Sequence, residues 1–235
     1  MRIMRSWHRL PRAAFDLETT GRDPATARIV SASIVVADAE GRFIGRHEWL
    51  ADPGIEIPEA ASSIHGITTA RARAEGRPAP VVAAEVSASL RELFDARIPV
   101  LAFNAAYDFT VLDRECRRWS LPEPPRPRPV IDPFQIHREL ERRREGGRKR
   151  TLVALCEEFE VPLIQAHTSA ADAAATLVLA DALARRWPEL QMPAPWLHDL
   201  QIAWLQHRAE RRAAHLRRDG WAEADLPGPH PWPVG

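Results

Sequence analysis

Three runs of apolar and β-branched residues open the chain. Ala13 to Glu18 is a short apolar run that carries two acids and is closed by Thr19-Thr20-Gly21 and Asp23-Pro24. That combination reads as a buried strand ending in a tight turn. Ile29 to Ala37 is apolar almost without a break, and Asp38-Ala39-Glu40-Gly41 separates it from the run Phe43 to Leu50. Together the three runs predict an antiparallel meander. Pro58 to Thr69 predicts a loop with one short helical turn. Val82, Val86, Leu90, Leu93 and Phe94 recur at helical spacing, which predicts a helix over Pro80 to Phe94.

Further along, Ile98 to Phe103 predicts a strand, and Tyr107, Val111 and Leu112 predict a helix reaching about Arg118. The proline-rich stretch Pro122 to Pro129 is a connector. Val130-Ile131-Asp132 reads as a strand stub, and Pro133 suits the first turn of a helix that runs into Arg144 and is broken by Gly146-Gly147. Leu152 to Phe159 and Ala170 to Arg186 predict two more helices, the second alanine-rich with Leu177, Val178 and Leu183 facing inward. A meander followed by strands separated by helices describes an α/β protein. Its mixed five-stranded sheet is flanked by helices, and a ribonuclease-H-like architecture fits this order.

Composition narrows the picture. A hydrophobic share of 45% over 235 residues excludes disorder throughout and favours one core with a tail. Lys+Arg 32 against Asp+Glu 32 leaves a formal net charge of +0, so contact with a polyanion must come from local patches. Lys149 is the only lysine. The positive charge is therefore almost all guanidinium, whose forked donors suit phosphate, although arginine and alanine abundance fits a GC-rich genome equally well. Cys116 and Cys156 lie far apart without a C-x-x-C, which predicts two small buried hydrophobes. No stretch reaches the ~18 apolar residues of a membrane span, and the basic N-terminus MRIMRSWHRLPR lacks a following apolar region. A cytoplasmic protein without membrane contact is expected.

The candidate chemistry lies in three places. Asp16 and Glu18 are i and i+2 on one strand, so both carboxylates point to the same face. Their repulsion would be relieved by a divalent cation, and hard oxygen donors select Mg²⁺ or Mn²⁺. The plain alternative is a solvated strand end. Asn104 and Asp108 lie four apart at the start of a helix, just beyond a strand's carboxyl end, where α/β sheets build sites. Ordinary first-turn electrostatics explains Asp108 as well. His167 precedes Thr168, and Ser169-x-x-Asp172 reads as a capping-box variant, which accounts for Asp172 without catalysis and leaves His167 open.

In order, these segments read F-D-L-E-T-T-G at Phe15 to Gly21, N-A-A-Y-D-F at Asn104 to Phe109, and H-T-S-A-A-D-A at His167 to Ala173. The series resembles the DEDDh group of 3′-to-5′ exonucleases, the family of the DNA-polymerase proofreading exonucleases and of several RNA-trimming enzymes. S-S-I-H-G-I at Ser62 to Ile67 is similar to the family's loop after the third strand, and the resemblance covers about Arg12 to Trp187. It implies that Asp16, Glu18, Asp108 and Asp172 hold two divalent cations, Mg²⁺ or Mn²⁺, with His167 as general base. Such a pair of ions, ~3.5–4 Å apart, clamps the attacking and leaving oxygens of an in-line displacement. A neutral imidazole can take the proton of the attacking water. The resemblance also implies substrate contacts from Thr19, Thr20, His65 and Phe109, with Asn104 orienting either the substrate or Asp108. Ser169 stands where the family often has alanine.

The expected activity is removal of nucleoside monophosphates from single-stranded 3′ ends, DNA in preference to RNA. RNA trimming, or a silent nucleic-acid-binding or polymerase-partner subunit on the same fold, is the alternative. A proofreading or repair role would draw on a partner in trans. Seven basic residues from Arg138 to Arg150 suggest a phosphate-gripping connector, or simply a solvated helix end and a flexible loop. Residues 1–187 are expected to form the exonuclease domain and 188–235 a helical extension with a Pro/Trp-rich tail. In that extension Leu197, Leu200, Trp204 and Leu205 form an apolar stripe expected to pack on the core. Arg208, Arg211, Arg212 and His215 continue the helix as an exposed basic segment, and Gly220 ends it.

Overall fold

The computed structural model describes residues 5–142, 149–222 and 232–235. The chain begins β1 (Arg12–Thr19), β2 (Ile29–Ala37) and β3 (Phe43–Asp52), then α1 (Glu59–His65), α2 (Thr69–Glu75), β4 (Arg77–Pro78) and α3 (Ala79–Asp95). It continues β5 (Val100–Leu101), α4 (Ala105–Arg118), β6 (Val130–Ile131), α5 (Pro133–Leu140), α6 (Leu152–Glu158), α7 (Ser169–Arg186) and α8 (Ala194–Arg218). The described strands form one mixed sheet in the order β4-β3-β2-β1-β5-β6. The β1–β2 and β2–β3 pairs are antiparallel, as the meander predicts, and β5 lies parallel to β1 with β6 parallel beyond it. Among the described residues no helix is long and apolar enough to cross a membrane.

Alternation along β1 divides the core. Ala13, Phe15 and Leu17 face the cluster that includes Val82, Val86 and Leu90 of α3 and Val111 and Leu112 of α4. Ala14 faces the opposite cluster, which is dominated by α7 through Leu177, Leu179 and Leu183. Arg12, Asp16 and Glu18 share the parity of Ala14, so their side chains rise toward α7. Arg12 pairs with Asp181 near the start of β1. The helix therefore runs antiparallel to the strand. The nine residues from Asp172 to Asp181 span about 13 Å of helix, and the four from Arg12 to Asp16 span about 13 Å of strand. The Arg12–Asp181 pair thus sets the register that brings Asp172 over Asp16.

Several expectations change. Pro58 to Thr69 holds the whole of α1 and the N-cap and first residue of α2 rather than one turn: α1 ends on Gly66 in the left-handed conformation (φ 73°), and Thr68 caps α2 by accepting the Arg71 N–H. The sheet has a sixth strand, β4, a two-residue edge piece that contains Pro78 and carries no readable period. The predicted strand Ile98 to Phe103 pairs only over Val100–Leu101. Helix α5 stops at Leu140 instead of reaching Arg144; Arg143, Arg144, Gly146, Gly147 and Arg148 lie outside the described residues. Both cysteines are buried and free, as expected.

In the extension α8 packs on β6 and α5. Leu197 is buried, Leu200, Trp204 and Leu205 pack against the core, and Gly220 follows the helix with φ 84°. The basic half is not uniformly exposed. Arg208 bonds Glu139 at 3.2 Å and also donates to Gln135, both on α5. Of the described residues in the basic connector, Arg142 pairs with Glu139 and Arg150 donates to the Glu141 carbonyl.

Candidate active site

Asp16 and Glu18 are the two half-buried positions in an otherwise buried strand. The register of β1 against β2 shifts between Glu18 and Thr19, and a bulge of this kind re-aims side chains at a strand end. Asp172, in the first turn of α7, completes a trio: one oxygen from each of Asp16, Glu18 and Asp172 lies within 4.8 Å of the others. Asp108 approaches from the other side, at the start of α4. It is buried, and its Oδ1 accepts the Leu17 N–H at 3.1 Å, between the two strand acids.

Burial and mutual repulsion govern this group. Burial, followed by Asp108, Asp172 and Glu18, holds the Asp16 carboxyl well above the ordinary carboxylate range. Burial and Asp172 push Glu18 up to about 7. Asp108 is raised by burial although the Leu17 N–H favours its charged form. Asp172 is raised by burial and partly relieved by His167. No described arginine or lysine pairs with these acids, and their hard oxygens fit a divalent cation.

His167 stands on the loop before α7 with φ 68°, and its backbone N–H donates to Asp172 Oδ1 at 3.2 Å. Its side chain is exposed. The helix cap differs from the sequence expectation. Thr168 is the N-cap, accepting the Ala171 N–H at 3.4 Å, whereas Ser169 is buried and hydrogen-bonded to Ser31 and Ser33 of β2. The hydroxyl at the position where the family often has alanine therefore ties α7 to the sheet.

A cleft of about 800 Å³ opens beside Glu18, and Thr19, Thr20, His65, Asn104 and Tyr107 line it. Thr19 Oγ1 donates to the Gly21 carbonyl at 2.8 Å and bonds the Tyr107 hydroxyl, which also reaches the Gly21 carbonyl. Thr20 Oγ1 accepts the Arg28 N–H at 3.0 Å, so this hydroxyl closes the Thr20–Arg28 loop. His65 is buried; its Nδ1 accepts the Ile67 N–H at 3.1 Å, which assigns the proton of the neutral ring to Nε2. Asn104 is the N-cap residue of α4 at φ 64°, a left-handed conformation that asparagine tolerates. Phe109 does not line this cleft. One residue beyond Asp108 on α4, it points into the core against Phe15 and Phe94, with ring centroids 5.5 and 6.3 Å away.

Two residues went unmarked in the sequence. Tyr107, the chain's single tyrosine, counted only as an apolar helical position. Asp132 counted as the end of a strand stub, yet its fully buried carboxylate accepts four backbone N–H groups. Those of Asn104, Phe134 and Gln135 reach Oδ1 at 3.0, 2.9 and 3.3 Å, and that of Ala105 reaches Oδ2 at 3.0 Å. Burial pushes it up to about 6 against those donors. The available signal was Asp132-Pro133, an N-cap residue followed by proline at the first helical position.

Residues 13–180 match the exonuclease family RNase_T. A DNA polymerase III of the PolC type from Halalkalibacterium halodurans is 30% identical over 164 residues, which is 69% of this chain and 10% of that protein. E. coli Exonuclease I in complex with a dA16 oligonucleotide superposes with a TM-score of 0.64 at 23% identity, covering 77% of this chain and 42% of that one. The zinc-bound form of its complex with single-stranded DNA gives 0.61 at 24% identity over the same shares. The chain therefore spans a tenth of the polymerase and less than half of Exonuclease I. These structural likenesses establish the ribonuclease-H-like α/β fold.

Proposed function

This chain belongs to the exonuclease family, of the DEDDh 3′-to-5′ type, and from that premise we propose what it does. It removes nucleoside monophosphates stepwise from single-stranded 3′ ends, DNA in preference to RNA. The observation that carries this reading is the meeting of Asp16, Glu18 and Asp172 within 4.8 Å, with Asp108 beside them and Glu18 lining the cleft. Two divalent cations, Mg²⁺ or Mn²⁺, bound by these four acids would stabilise charge on the attacking and leaving oxygens; four carboxylates offset the four positive charges.

The chain's own residues divide the remaining work. His167 takes a proton from the attacking water as its oxygen bonds to phosphorus. The bond from phosphorus to the 3′ oxygen breaks and that oxygen takes up a proton from solvent, leaving a nucleoside 5′-monophosphate and a strand one residue shorter with a new 3′ hydroxyl. The Thr19–Tyr107–Gly21 hydrogen bonds hold the floor of the cleft for the terminal nucleotide, and His65 and Asn104 border it. DNA preference is supported by the DNA oligonucleotides bound to the Exonuclease I relatives, and association with a polymerase by the similarity to the PolC-type polymerase. Residues 1–187 carry the reaction and 188–235 extend it.

The test is digestion of matched 5′-labelled single-stranded DNA and RNA with Mg²⁺ or Mn²⁺, resolved at single nucleotides. A ladder that shortens from the 3′ end, fastest on DNA and abolished by chelator, is expected. Internal cleavage, or activity indifferent to chelator, would sink the proposal, and faster RNA digestion would replace its substrate.

A further inference from the structure

The β6 strand is an edge, with β5 on one side only, and edge backbone groups must find other partners. Here α8 supplies them from side chains. His198 Nδ1 accepts the Val130 N–H at 3.1 Å. Gln201 Nε2 donates to the Val130 carbonyl at 3.0 Å and to the Leu197 carbonyl at 3.1 Å, while its Oε1 accepts the Asp132 N–H at 2.8 Å. Both side chains are buried, and three hydrogen bonds fix the Gln201 amide in one orientation.

The last of those bonds reaches past edge cover. The backbone of Asp132 is held by Gln201, and its carboxylate holds the N–H groups of Asn104 and Ala105 at the mouth of α4. One helical turn later comes Asp108, whose carboxylate meets the Leu17 N–H between Asp16 and Glu18. A continuous path of hydrogen bonds and one helical turn runs from the extension to the acid cluster, and Gln201, Asp132, Ala105 and Asp108 along it are buried with little room to rearrange.

We propose that α8, which lies beyond the segment shared with the family, is a positioning element of the active site: Gln201, acting through Asp132, fixes the turn that aims Asp108 and Tyr107. The catalytic part rests on the exonuclease reading; the mechanical part does not. Gln201 and Asp132 are positioning residues, because neither lines the cleft.

The experiment compares full-length Gln201→Met and Asp132→Asn with His198→Ala, which removes an edge contact and a ring contact to Trp232 but leaves the Asp132 N–H bonded to Gln201. Amide exchange at Asn104 and Ala105 is followed by NMR, alongside kcat and KM on single-stranded DNA with Mg²⁺. Gln201→Met is expected to speed exchange at these two amides at least tenfold, with the β1–β2 ladder unchanged. It should lower kcat about tenfold with KM within threefold, and Asp132→Asn should do more. His198→Ala should lower the melting temperature yet leave both readouts within threefold. Equal acceleration in Gln201→Met and His198→Ala, or none in either, overturns the proposal. If Asp132→Asn fails to fold, Gln201→Met still decides. Wild-type protein without nuclease activity would refute the exonuclease reading, while the exchange data would still decide the mechanical link.

Discussion

At the centre of its sheet and at its edge the protein buries two polar groups and treats them in opposite ways. The edge group, His198, Gln201 and Asp132, pairs donor with acceptor at every bond described, down to four N–H groups on one carboxylate. The central group, Asp16, Glu18, Asp108 and Asp172, consists of acids whose affinity for protons is raised by burial and, for the first three, by neighbouring acids as well. A satisfied buried network makes a fold unique, whereas an unsatisfied one of like charge costs stability and persists where something binds it. The contrast separates scaffold from site without appeal to any relative.

The contrast breaks most directly at the central acids. Asp16→Ala or Asp172→Ala should lower exonuclease turnover at least ~10³-fold, since charge stabilisation at the reacting oxygens is the largest share of catalysis. Neither removes a core contact, so unfolding should stay cooperative. A variant that retains a tenth of wild-type turnover would show that the acids are not the site. His167→Ala should follow with a ~10²–10⁴-fold loss in kcat, substrate affinity nearly unchanged, and an unaltered melting curve, because the ring is exposed. Weakened affinity with intact kcat would make His167 a binding residue.

What the sequence disclosed follows the same division. The meander, α3, α4 and α7 announce themselves through apolar period, and Asp16, Glu18, Asp108, His167 and Asp172 through motif order. The edge network did not, because a stripe of Leu197, Leu200, Trp204 and Leu205 draws attention to apolar positions. Gln201 sits four residues after Leu197 on the same face, and a polar residue on an inward face is the sign that a partner is waiting there. Phe109 misleads for the opposite reason: adjacency to Asp108 along a helix turns its side chain about 100° away, into the core. Helices α1 and α2 hide behind Ser62, Gly66, Thr68 and Thr69, which read as turn chemistry although two of them cap helices.

Stability should sharpen the comparison at smaller magnitude. In chelator, Asp16→Asn removes a repelling charge and should raise stability by about 1 kcal/mol. Asp132→Asn should lower it by ~2–3 kcal/mol by turning an amide group toward N–H donors. The metal-free wild type should respond to pH in the same sense. A carboxylate raised from 4.5 to about 7, as Glu18 is, keeps its proton in the folded state where the unfolded chain has lost it. Stability therefore falls as pH rises through that window, by on the order of 3 kcal/mol at most before solvent in the open site reduces it. Millimolar Mg²⁺ or Mn²⁺ should flatten the fall, since a cation binds the ionised form. Thermal melts from pH 4.5 to 8, with chelator and with cation, decide it; a chelated protein whose stability rises across the window would contradict the electrostatics of the centre.

The smallest effects belong to the outer end of α8, where one arginine behaves like the edge network and two do not. Arg208 has a side-chain exposure of 15% and bonds Glu139, itself 4% exposed, so Arg208→Met leaves Glu139 only Arg142 among its described partners and should cost about 1–2 kcal/mol. Arg211 and Arg212 are exposed, and alanine at both should change stability by no more than about 0.5 kcal/mol. Their effect, if the helix end borders the bound strand, lies in salt dependence: each lost phosphate contact on single-stranded nucleic acid flattens the log–log slope by ~0.7. Binding of long and short oligonucleotides by the Arg211→Ala/Arg212→Ala protein across a salt series reads this out. A flatter slope for long strands alone assigns these residues to the strand upstream of the 3′ end. An unchanged slope for both lengths limits α8 to the scaffold, where the Gln201 and Arg208 contacts already put it.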